Sequence, residues 1–182
     1  MNEMNWKLSG VCHKFGDDIR HDNGLMPFKY VSDRVYDPDV LIEHLCEDER
    51  PDLRSRVKAG DIIVAGKNFG KGKPHVQAYI AMRRLGMGVL CESMPFLTYR
   101  AAVGCGLLFL SDCAGVTELV TDGDKIEVDF LAGDFVNHTT GVSRQFAPLP
   151  DGLRDMVALG GTTGVLRKWW EERKAAEAAL AV

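Results

Sequence analysis

Residues 65–75 read Ala65-Gly66-Lys67-Asn68-Phe69-Gly70-Lys71-Gly72-Lys73-Pro74-His75, and they connect an apolar run at 61–65 to a helical pattern at 76–85. This order predicts a strand, a glycine-bearing loop and a helix. Gly70 and Gly72 have no Cβ atom, so the backbone can turn sharply and a ligand can come close. Because proline suits the first position of a helix, we expect Pro74 to begin this one.

The same stretch has the residue types of an anion-binding site. The free amides of a helix N-terminus attract negative charge, and Lys71, Lys73 and His75 add side-chain donors. The simpler alternative is an ordinary connection between a strand and a helix. The glycine spacing matches neither G-x-x-x-x-G-K-[ST] nor G-x-G-x-x-G, so nucleotide binding is not supported. We therefore predict a carboxylate or phosphate site.

Length and composition narrow the class of protein. The 182 residues favour a single domain, 1–182, and 46% hydrophobic with 26% charged residues is typical of a globular protein. A net charge of −4 without a basic stripe argues against nucleic-acid binding. The sequence has no run of about 20 apolar residues that could span a membrane, and the first residues lack a signal-peptide pattern. We expect a cytoplasmic protein without a membrane partner.

The cysteines are scattered and form no C-x-x-C pair. Their odd number and spacing predict reduced thiols, and Cys91 and Cys105 lie in apolar segments typical of a core. We therefore do not expect this chain itself to hold an iron–sulfur cluster or a structural zinc ion. The five positions are Cys12, Cys46, Cys91, Cys105 and Cys113.

Hydrophobic patterns predict parallel β-α-β units followed by half-buried, alternating strands joined by turns. The first part has predicted strands at 6–15, 61–65, 87–91 and 107–110, with helices at 74–85 and at 93–103, the latter capped by Ser93. The second part has alternating segments at 116–120, 125–130, 135–138 and 144–147. Helices are predicted at 39–45, 53–59 and 151–158, and a terminal helix at about 163–181.

Two polar segments contain further candidates for binding residues. The turn-rich stretch 15–27 includes His21 and Asp22, which either line a site or lie in a solvated loop. The arginines between 34 and 56 could bind carboxylates, although surface charge is the simpler interpretation for most of them. They are Arg34, Arg50, Arg54 and Arg56.

Six motifs, from about 6 to 172, give the chain a family likeness. It resembles the small subunit of 3-isopropylmalate dehydratase, the swivelling domain of the aconitase superfamily. Segment 16–27 is similar to G-D-N-I-D-T-D-Q-I-I-P with one residue more, 30–34 to a Y-L-R specificity loop, and 66–78 to G-K-N-F-G-C-G-S-S-R-E-H-A. Segment 93–110 aligns without gaps to S-F-A-D-I-F-Y-N-N and G-L-L-P-I, 128–130 to V-D-L, and 153–161 to L-x-x-I-L-x-x-G-G.

The resemblance implies an α/β fold, a three-layer β/β/α swivelling domain. It also implies a hydro-lyase of leucine biosynthesis, a heterodimer whose large subunit carries a [4Fe–4S] cluster, and no activity from the small subunit alone. The substrate would be a small hydroxy-dicarboxylic acid that is dehydrated and rehydrated. The matching positions that would bind it are Asn68, Gly70, Gly72, His21, Asp22 and Arg34.

The chain departs from the family motif at the positions that carry the family's chemistry. The motif's S-S-R, a catalytic serine base and a carboxylate-binding arginine, is replaced by Lys73, Pro74 and His75. Proline cannot act as a base, so we predict that Lys73 or His75 is the catalytic acid/base group. Arg20 and His21 also depart from the first motif, which favours a changed substrate. The alternatives are a non-catalytic assembly or regulatory protein that binds a carboxylate, and a stand-alone small-molecule binder.

Overall fold

A mixed seven-stranded sheet with helices packed on one face organises the computed structural model, which describes residues 4–180. The strand order is β4-β3-β2-β1-β5-β6-β7. The strands are β1 (Lys7–Lys14), β2 (Ile62–Ala65), β3 (Gly88–Cys91), β4 (Leu108–Leu110), β5 (Lys125–Asp129), β6 (Asp134–Asn137) and β7 (Ser143–Gln145). The α/β class predicted from the sequence is confirmed.

The first half of the sheet is parallel, as the β-α-β pattern predicts. Strands β1 to β4 run in the same direction, with Cys12 opposite Ile62 and Val89 between Ile63 and Phe109. The four residues of β2 are all buried, which explains why its sequence is a continuous apolar run. Two helices make the crossovers, α4 (Gln77–Arg84) and α5 (Phe96–Cys105).

The second half of the sheet is antiparallel. Strand β5 pairs with β1, β6 with β5 and β7 with β6. In β5 the burial alternates: Ile126 and Val128 are buried, Lys125 is exposed and Glu127 is half-buried. The strand predicted at 116–120 is wrong, because residues Val116–Leu119 form a 3-10 helix after Gly115, whose φ is 73°. Val116 and Val120 are buried and lie four residues apart, about one helical turn. The Glu118 amide donates a local hydrogen bond to the Gly115 carbonyl.

Each face of the parallel strands packs against its own hydrophobic core, and this gives the fold its layers. Ile63 and Ala65 point into the core beneath the helices, whereas Ile62 and Val64 point into a second core. The second core also contains Ile126, Val128 and Phe135 from the antiparallel strands. The antiparallel half must therefore curl over one face of the parallel half while helices cover the other face. This arrangement is the β/β/α swivelling fold predicted from the motifs.

Two helices begin later than the sequence predicts. Helix α4 begins at Gln77 rather than Pro74, and its first main-chain bond joins Ile80 N–H to Val76 C=O. Between the loop contacts and the helix lies Gly72, whose φ of 106° is not helical, so the helix begins after it. Helix α5 follows Pro95 rather than Ser93, and the Ser93 hydroxyl accepts a hydrogen bond from the Asn68 amide instead of capping the helix.

The remaining helices, apart from α1, are close to their predicted positions. They are α1 (Phe28–Ser32), which has no counterpart in the sequence prediction, α2 (Pro38–Leu41) with a 3-10 turn at Ile42–His44, α3 (Leu53–Arg56), α6 (Asp151–Ala158) and α7 (Thr162–Leu180). The predicted end of the terminal helix at 181 lies outside the described residues. Across residues 4–180 no helix is both long and apolar enough to cross a bilayer.

Candidate active site

Two loops meet at one edge of the parallel strands. We call residues 15–27 the acidic loop and residues 66–76 the glycine loop; they follow β1 and β2, whose carboxyl ends are neighbours. Main-chain hydrogen bonds join them: the Lys71 amide donates to the Ile19 carbonyl (2.8 Å), and the His21 amide donates to the Lys71 carbonyl (2.9 Å). The fold therefore brings the two predicted site segments together.

Gly66 allows the loops to approach this closely. The Asp17 Oδ1 atom accepts a hydrogen bond of 2.7 Å from the Lys67 amide. A Cβ atom at Gly66 would lie only 1.9 Å from the same oxygen. Any other residue here would force the acidic loop away from the glycine loop.

Asn68 and Lys71 hold the carboxylate of Asp18. The Asn68 Nδ2 atom lies 2.9 Å and the Lys71 Nζ atom 3.1 Å from the same Asp18 oxygen. The hydrogen bond from Asn68, followed by that from Lys71, lowers the pKa of Asp18 below its ordinary value. All three side chains are exposed, so this cluster orders the loops at the surface rather than in the core.

His75 and Asp22 form the central pair of the site. The Nε2 atom of His75 lies 3.4 Å from Oδ1 of Asp22, and both atoms are buried without a hydrogen-bond partner among the described residues. The side chain of His75 is 19% exposed and that of Asp22 is 32% exposed. The centre of the Phe28 ring lies 6.2 Å from the centre of the imidazole. A ligand with donors and acceptors could therefore satisfy both atoms.

Lys73 and Gly72 lie on the open side of the glycine loop. Lys73 is exposed, and within residues 4–180 its ammonium group has no hydrogen-bond or ion-pair partner. At Gly72 a Cβ atom would meet nothing within 4 Å. This side of the loop has room for a ligand and a free cation to bind it.

His21 lies beneath the loop rather than on its open side. Its ring is 2% exposed, and the Nε2 atom is 2.8 Å from the hydroxyl oxygen of Tyr79 on α4. Burial, and then the positive charge of His75, lower the pKa of His21 to about 4. The imidazole is therefore neutral near pH 7.

Gly70 has close neighbours on two sides. Its carbonyl accepts a hydrogen bond of 2.6 Å from the Thr98 hydroxyl on α5. Its φ is 74°, and a Cβ atom would lie 2.6 Å from Thr98 Cγ2 and 3.1 Å from His21 Nε2. Thr98 and Tyr79, which contact Gly70 and His21, are not predicted from the sequence; the available signal is a polar group on the buried face of each crossover helix.

Among the described residues, the predicted arginines make no hydrogen bond or ion pair to either loop, although the Arg50 guanidinium lies 5.3 Å from the centre of the Phe15 ring at the start of the acidic loop. Arg34 is exposed in the turn after α1, and among the described residues its side chain makes no hydrogen bond or ion pair. Arg54 binds Glu43, whereas Arg50 and Arg56 share Asp122. Arg50, Arg54 and Arg56 therefore form the surface ion pairs that their simpler interpretation predicts.

The cysteines do not fit the role of cluster ligands. Within residues 4–180 no group of three or more histidine, cysteine, aspartate or glutamate side chains could hold a metal ion. Burial raises the pKa of the Cys12, Cys46 and Cys113 thiols to about 12, so these thiols are protonated near neutral pH. An iron–sulfur cluster thus has no site built from the described residues.

Relatives in several bacteria and archaea cover most of the chain. It is 36% identical over 156 residues to the 3-isopropylmalate dehydratase small subunit of Halothermothrix orenii, covering 85% of this chain and 92% of the relative. It is 34% identical over 163 residues to the isopropylmalate/citramalate isomerase small subunit of Methanocaldococcus jannaschii, covering 88% and 94%. No protein-family model matches the chain.

A solved structure shares the fold. The crystal structure of 3-isopropylmalate dehydratase from Methanocaldococcus jannaschii has a TM-score of 0.81 and 30% sequence identity, covering 95% of this chain and 98% of that one. Both its identity and its coverage agree with those of the sequence relatives. The chain belongs to the family of 3-isopropylmalate dehydratase small subunits.

Proposed function

We propose that this chain is the small subunit of a hydro-lyase that dehydrates and rehydrates a hydroxy-dicarboxylic acid in the cytoplasm. It would act as a single swivelling domain that closes over a large subunit, and it would be inactive alone. The names of its relatives support a complex of this kind. The observation that carries the proposal is the half-buried pair of His75 and Asp22, with the exposed side chain of Lys73 two residues before His75 on the same loop.

The loops support a rebuilt site rather than a decayed one. Asp18 and Lys71 stand where the family motifs have asparagine and cysteine, and these two replacements bind each other at 3.1 Å. His75 replaces the arginine, and it faces the Asp22 carboxylate that the motif retains. Replacements that pair across two loops preserve an ordered polar site, which random loss of function does not require.

In this proposal His75 is the acid/base group. Asp22 orients the imidazole through Nε2, and the Nδ1 atom removes the proton from the substrate carbon during dehydration and returns it during hydration. Histidine suits both steps because its ordinary pKa lies near neutral pH. The [4Fe–4S] cluster is expected on the large subunit, and this chain's residues act only on the proton and on the substrate carboxylate.

Lys73 binds a substrate carboxylate in place of the missing arginine. Lys73 is exposed and has no hydrogen-bond or ion-pair partner among residues 4–180, which leaves its ammonium group available for this contact. Lys73 is also the second candidate for the acid/base group, since a partner that buries it would favour the neutral amine. Gly70 and Gly72 shape the same loop for the substrate, and Asp22 belongs to the proposed binding set through its contact with His75. Asn68, which is bonded to Asp18, and the buried His21 support the loop instead of touching the substrate. Arg34 makes no hydrogen bond or ion pair to either loop among the described residues.

The loss of the family's serine and arginine favours a second candidate function. A chain of the same fold could bind a carboxylate or the large subunit as an assembly or regulatory protein without chemistry. Pro74 at one of the serine positions is the specific observation in its support, because proline has no group that transfers a proton.

Co-expression with a large subunit separates the two functions. The complex is reconstituted anaerobically with its cluster and assayed with 2-hydroxy dicarboxylic acids, beginning with isopropylmalate and citramalate. We expect His75→Ala to lower kcat by about 100-fold and Lys73→Ala to raise KM by about tenfold. His138→Ala, at an exposed histidine on the antiparallel half, is the matched control. A complex that assembles but turns over none of these acids would support the regulatory function.

A further inference from the structure

We propose that helix α7 pairs with α7 of a second copy of this chain, in antiparallel orientation. The pairing face consists of Leu166, Trp169 and Trp170, and the charged residues on its two flanks complement those of an antiparallel copy. This pairing goes beyond the proposed function and does not depend on it.

Helix α7 leaves the rest of the fold soon after it begins. Its first residues pack at the ends of α5 and α6, where a Cβ atom at Gly164 would collide with the Leu159 carbonyl oxygen. From residue 166 to residue 179 every side chain is exposed. An isolated helix of about 12–15 residues is only marginally stable in water, so packing against a partner would stabilise this segment.

The large apolar side chains of the exposed segment form one patch. Leu166 is 60% exposed, and Trp169 and Trp170 are each 52% exposed. Residues three and four positions apart share one side of a helix, so the leucine lies beside both tryptophans. Tryptophan is among the residues that contribute most to protein–protein interfaces, and such a patch on a helix indicates a binding face.

The charges around the two tryptophans reverse their sign along the helix. Arg167 and Lys168 precede the tryptophans, and Glu171 and Glu172 follow them. Because residues four positions apart lie on the same side, Arg167 shares one flank of the patch with Glu171. Lys168 shares the other flank with Glu172, at 3.9 Å. Each flank is therefore basic towards the beginning of the helix and acidic towards its end.

This charge pattern matches itself when a second helix is turned end to end. A two-fold axis between Trp169 and Trp170 places Trp169 of one copy near Trp170 of the other. The same axis sets the basic residue of each flank opposite the acidic residue of that flank in the second copy. A parallel pair would set like charges opposite each other. Charge complementarity therefore favours an antiparallel copy of this chain as the occupant of the face.

The pairing helix begins at the end of α5 that lies away from the candidate active site. Thr98, near the beginning of α5, contacts Gly70 of the glycine loop. Near the end of α5, a Cβ atom at Gly104 would lie 3.4 Å from the Thr162 hydroxyl oxygen, at the beginning of α7. A single pair of helices is smaller than a standard interface, so we expect the dimer to dissociate at about micromolar concentrations.

Sedimentation velocity of the full chain, from about 1 to 100 μM, tests the pairing. The wild type should change from monomer to dimer over this range. Reversing the acidic residues, Glu171→Lys with Glu172→Lys, should raise the dissociation constant by at least about tenfold. Asp33→Lys with Asp134→Lys reverses two exposed charges on other elements and is the matched control. Circular dichroism should show equal helix content in all three chains.

Exchanging the charges of both flanks tests the antiparallel orientation. The exchanged chain carries four substitutions: Arg167→Glu, Lys168→Glu, Glu171→Lys and Glu172→Lys. It should dimerise as strongly as the wild type, because its flanks again complement those of its own copy. It should not form mixed dimers with the wild type, since like charges would then meet along both flanks. Native mass spectrometry of a mixture with isotopically labelled wild type measures the mixed dimer.

Three outcomes would overturn the proposal. The wild type could remain a monomer over the whole range, or its dimer could be unaffected by reversal of the acidic residues. Mixed dimers of the wild type and the exchanged chain would exclude the antiparallel orientation. If the wild type is a monomer and Trp169→Ala with Trp170→Ala weakens its binding to a large subunit, the face belongs to that subunit. Sedimentation of the isolated chain needs no activity, so failure of the proposed function would leave this test intact.

Discussion

The Nε2 atom of His75 faces Oδ1 of Asp22 at 3.4 Å, slightly too far for a good hydrogen bond, and neither atom has another partner among the described residues. This contact connects the two loops that follow the central strands β1 and β2. A pair poised in this way can close on a ligand, because the ligand or a small loop movement completes the missing bonds.

Asp22→Asn should lower kcat of the reconstituted complex by about tenfold. The amide keeps the shape of the carboxylate but removes the charge that orients and stabilises a protonated His75. Asp33→Asn, at an exposed residue after α1, serves as the control. Steady-state kinetics that show equal kcat in both variants would exclude Asp22 from the proposed pair.

Gly70→Ala should destabilise the chain by about 2–3 kcal/mol, whereas Gly72→Ala should cost about 1 kcal/mol. Both glycines have positive φ, so alanine strains the backbone at each. Only the Gly70 Cβ would also collide with neighbours, at 2.6 Å from Thr98 Cγ2. Urea unfolding of the two variants measures the difference, and equal midpoints would show that the packing around Gly70 is not tight.

Acidification should reveal the buried imidazole of His21. Its pKa is lowered from 6.5 to about 4 in the folded chain, so the unfolded chain binds more protons between these values. The stability that the neutral imidazole provides is fully present above pH 6.5 and is lost as the pH falls through 4, by roughly 3 kcal/mol in total.

Urea unfolding at pH 7 and pH 4.5 tests the effect. His21→Gln should show a smaller loss of stability between the two pH values than the wild type does, although it is less stable at pH 7. His138→Gln provides the control at an exposed histidine and should keep the wild-type difference. An unchanged pH dependence in His21→Gln would argue against a depressed pKa.

Asp61→Asn should destabilise the fold by about 3 kcal/mol. The buried Asp61 carboxylate accepts hydrogen bonds from the amides of Val11 and Lys58 and contacts His13 Nε2 at 2.9 Å. An amide group would place a donor against one of these donors. Asp134→Asn on β6, where the side chain is exposed, should cost little, and a matching loss there in thermal or urea unfolding would contradict the prediction.

Much of the fold could be predicted from the sequence. Continuous apolar runs predicted the buried parallel strands, and alternation predicted β5 and β6, because the two patterns reflect burial on two faces and on one face. Segment 116–120 was misread because Val116 and Val120 also fit one turn of helix. Pro74 was misplaced because proline also fits the extended connection before a helix, and local sequence does not show where the loop pairing ends.

The candidate site was predicted only as two separate segments. The residues of the glycine loop and the pair of His21 and Asp22 followed from residue types and from the family motifs. The contacts between Asp18 and Lys71 and between Asp22 and His75 join residues about 50 positions apart. Such pairing depends on β1 and β2 being parallel neighbours, which a sequence pattern alone does not specify.

The sequence by itself determined the fold class, the family resemblance and the loss of the serine and arginine from the glycine loop. These are properties of residue order and of local hydrophobic pattern. Only the tertiary structure decided that His21 turns inward to Tyr79, that His75 turns towards Asp22 and that Lys73 stays free. The physical reason is that burial and hydrogen-bond partners come from distant segments, and these surroundings decide what a histidine or lysine can do.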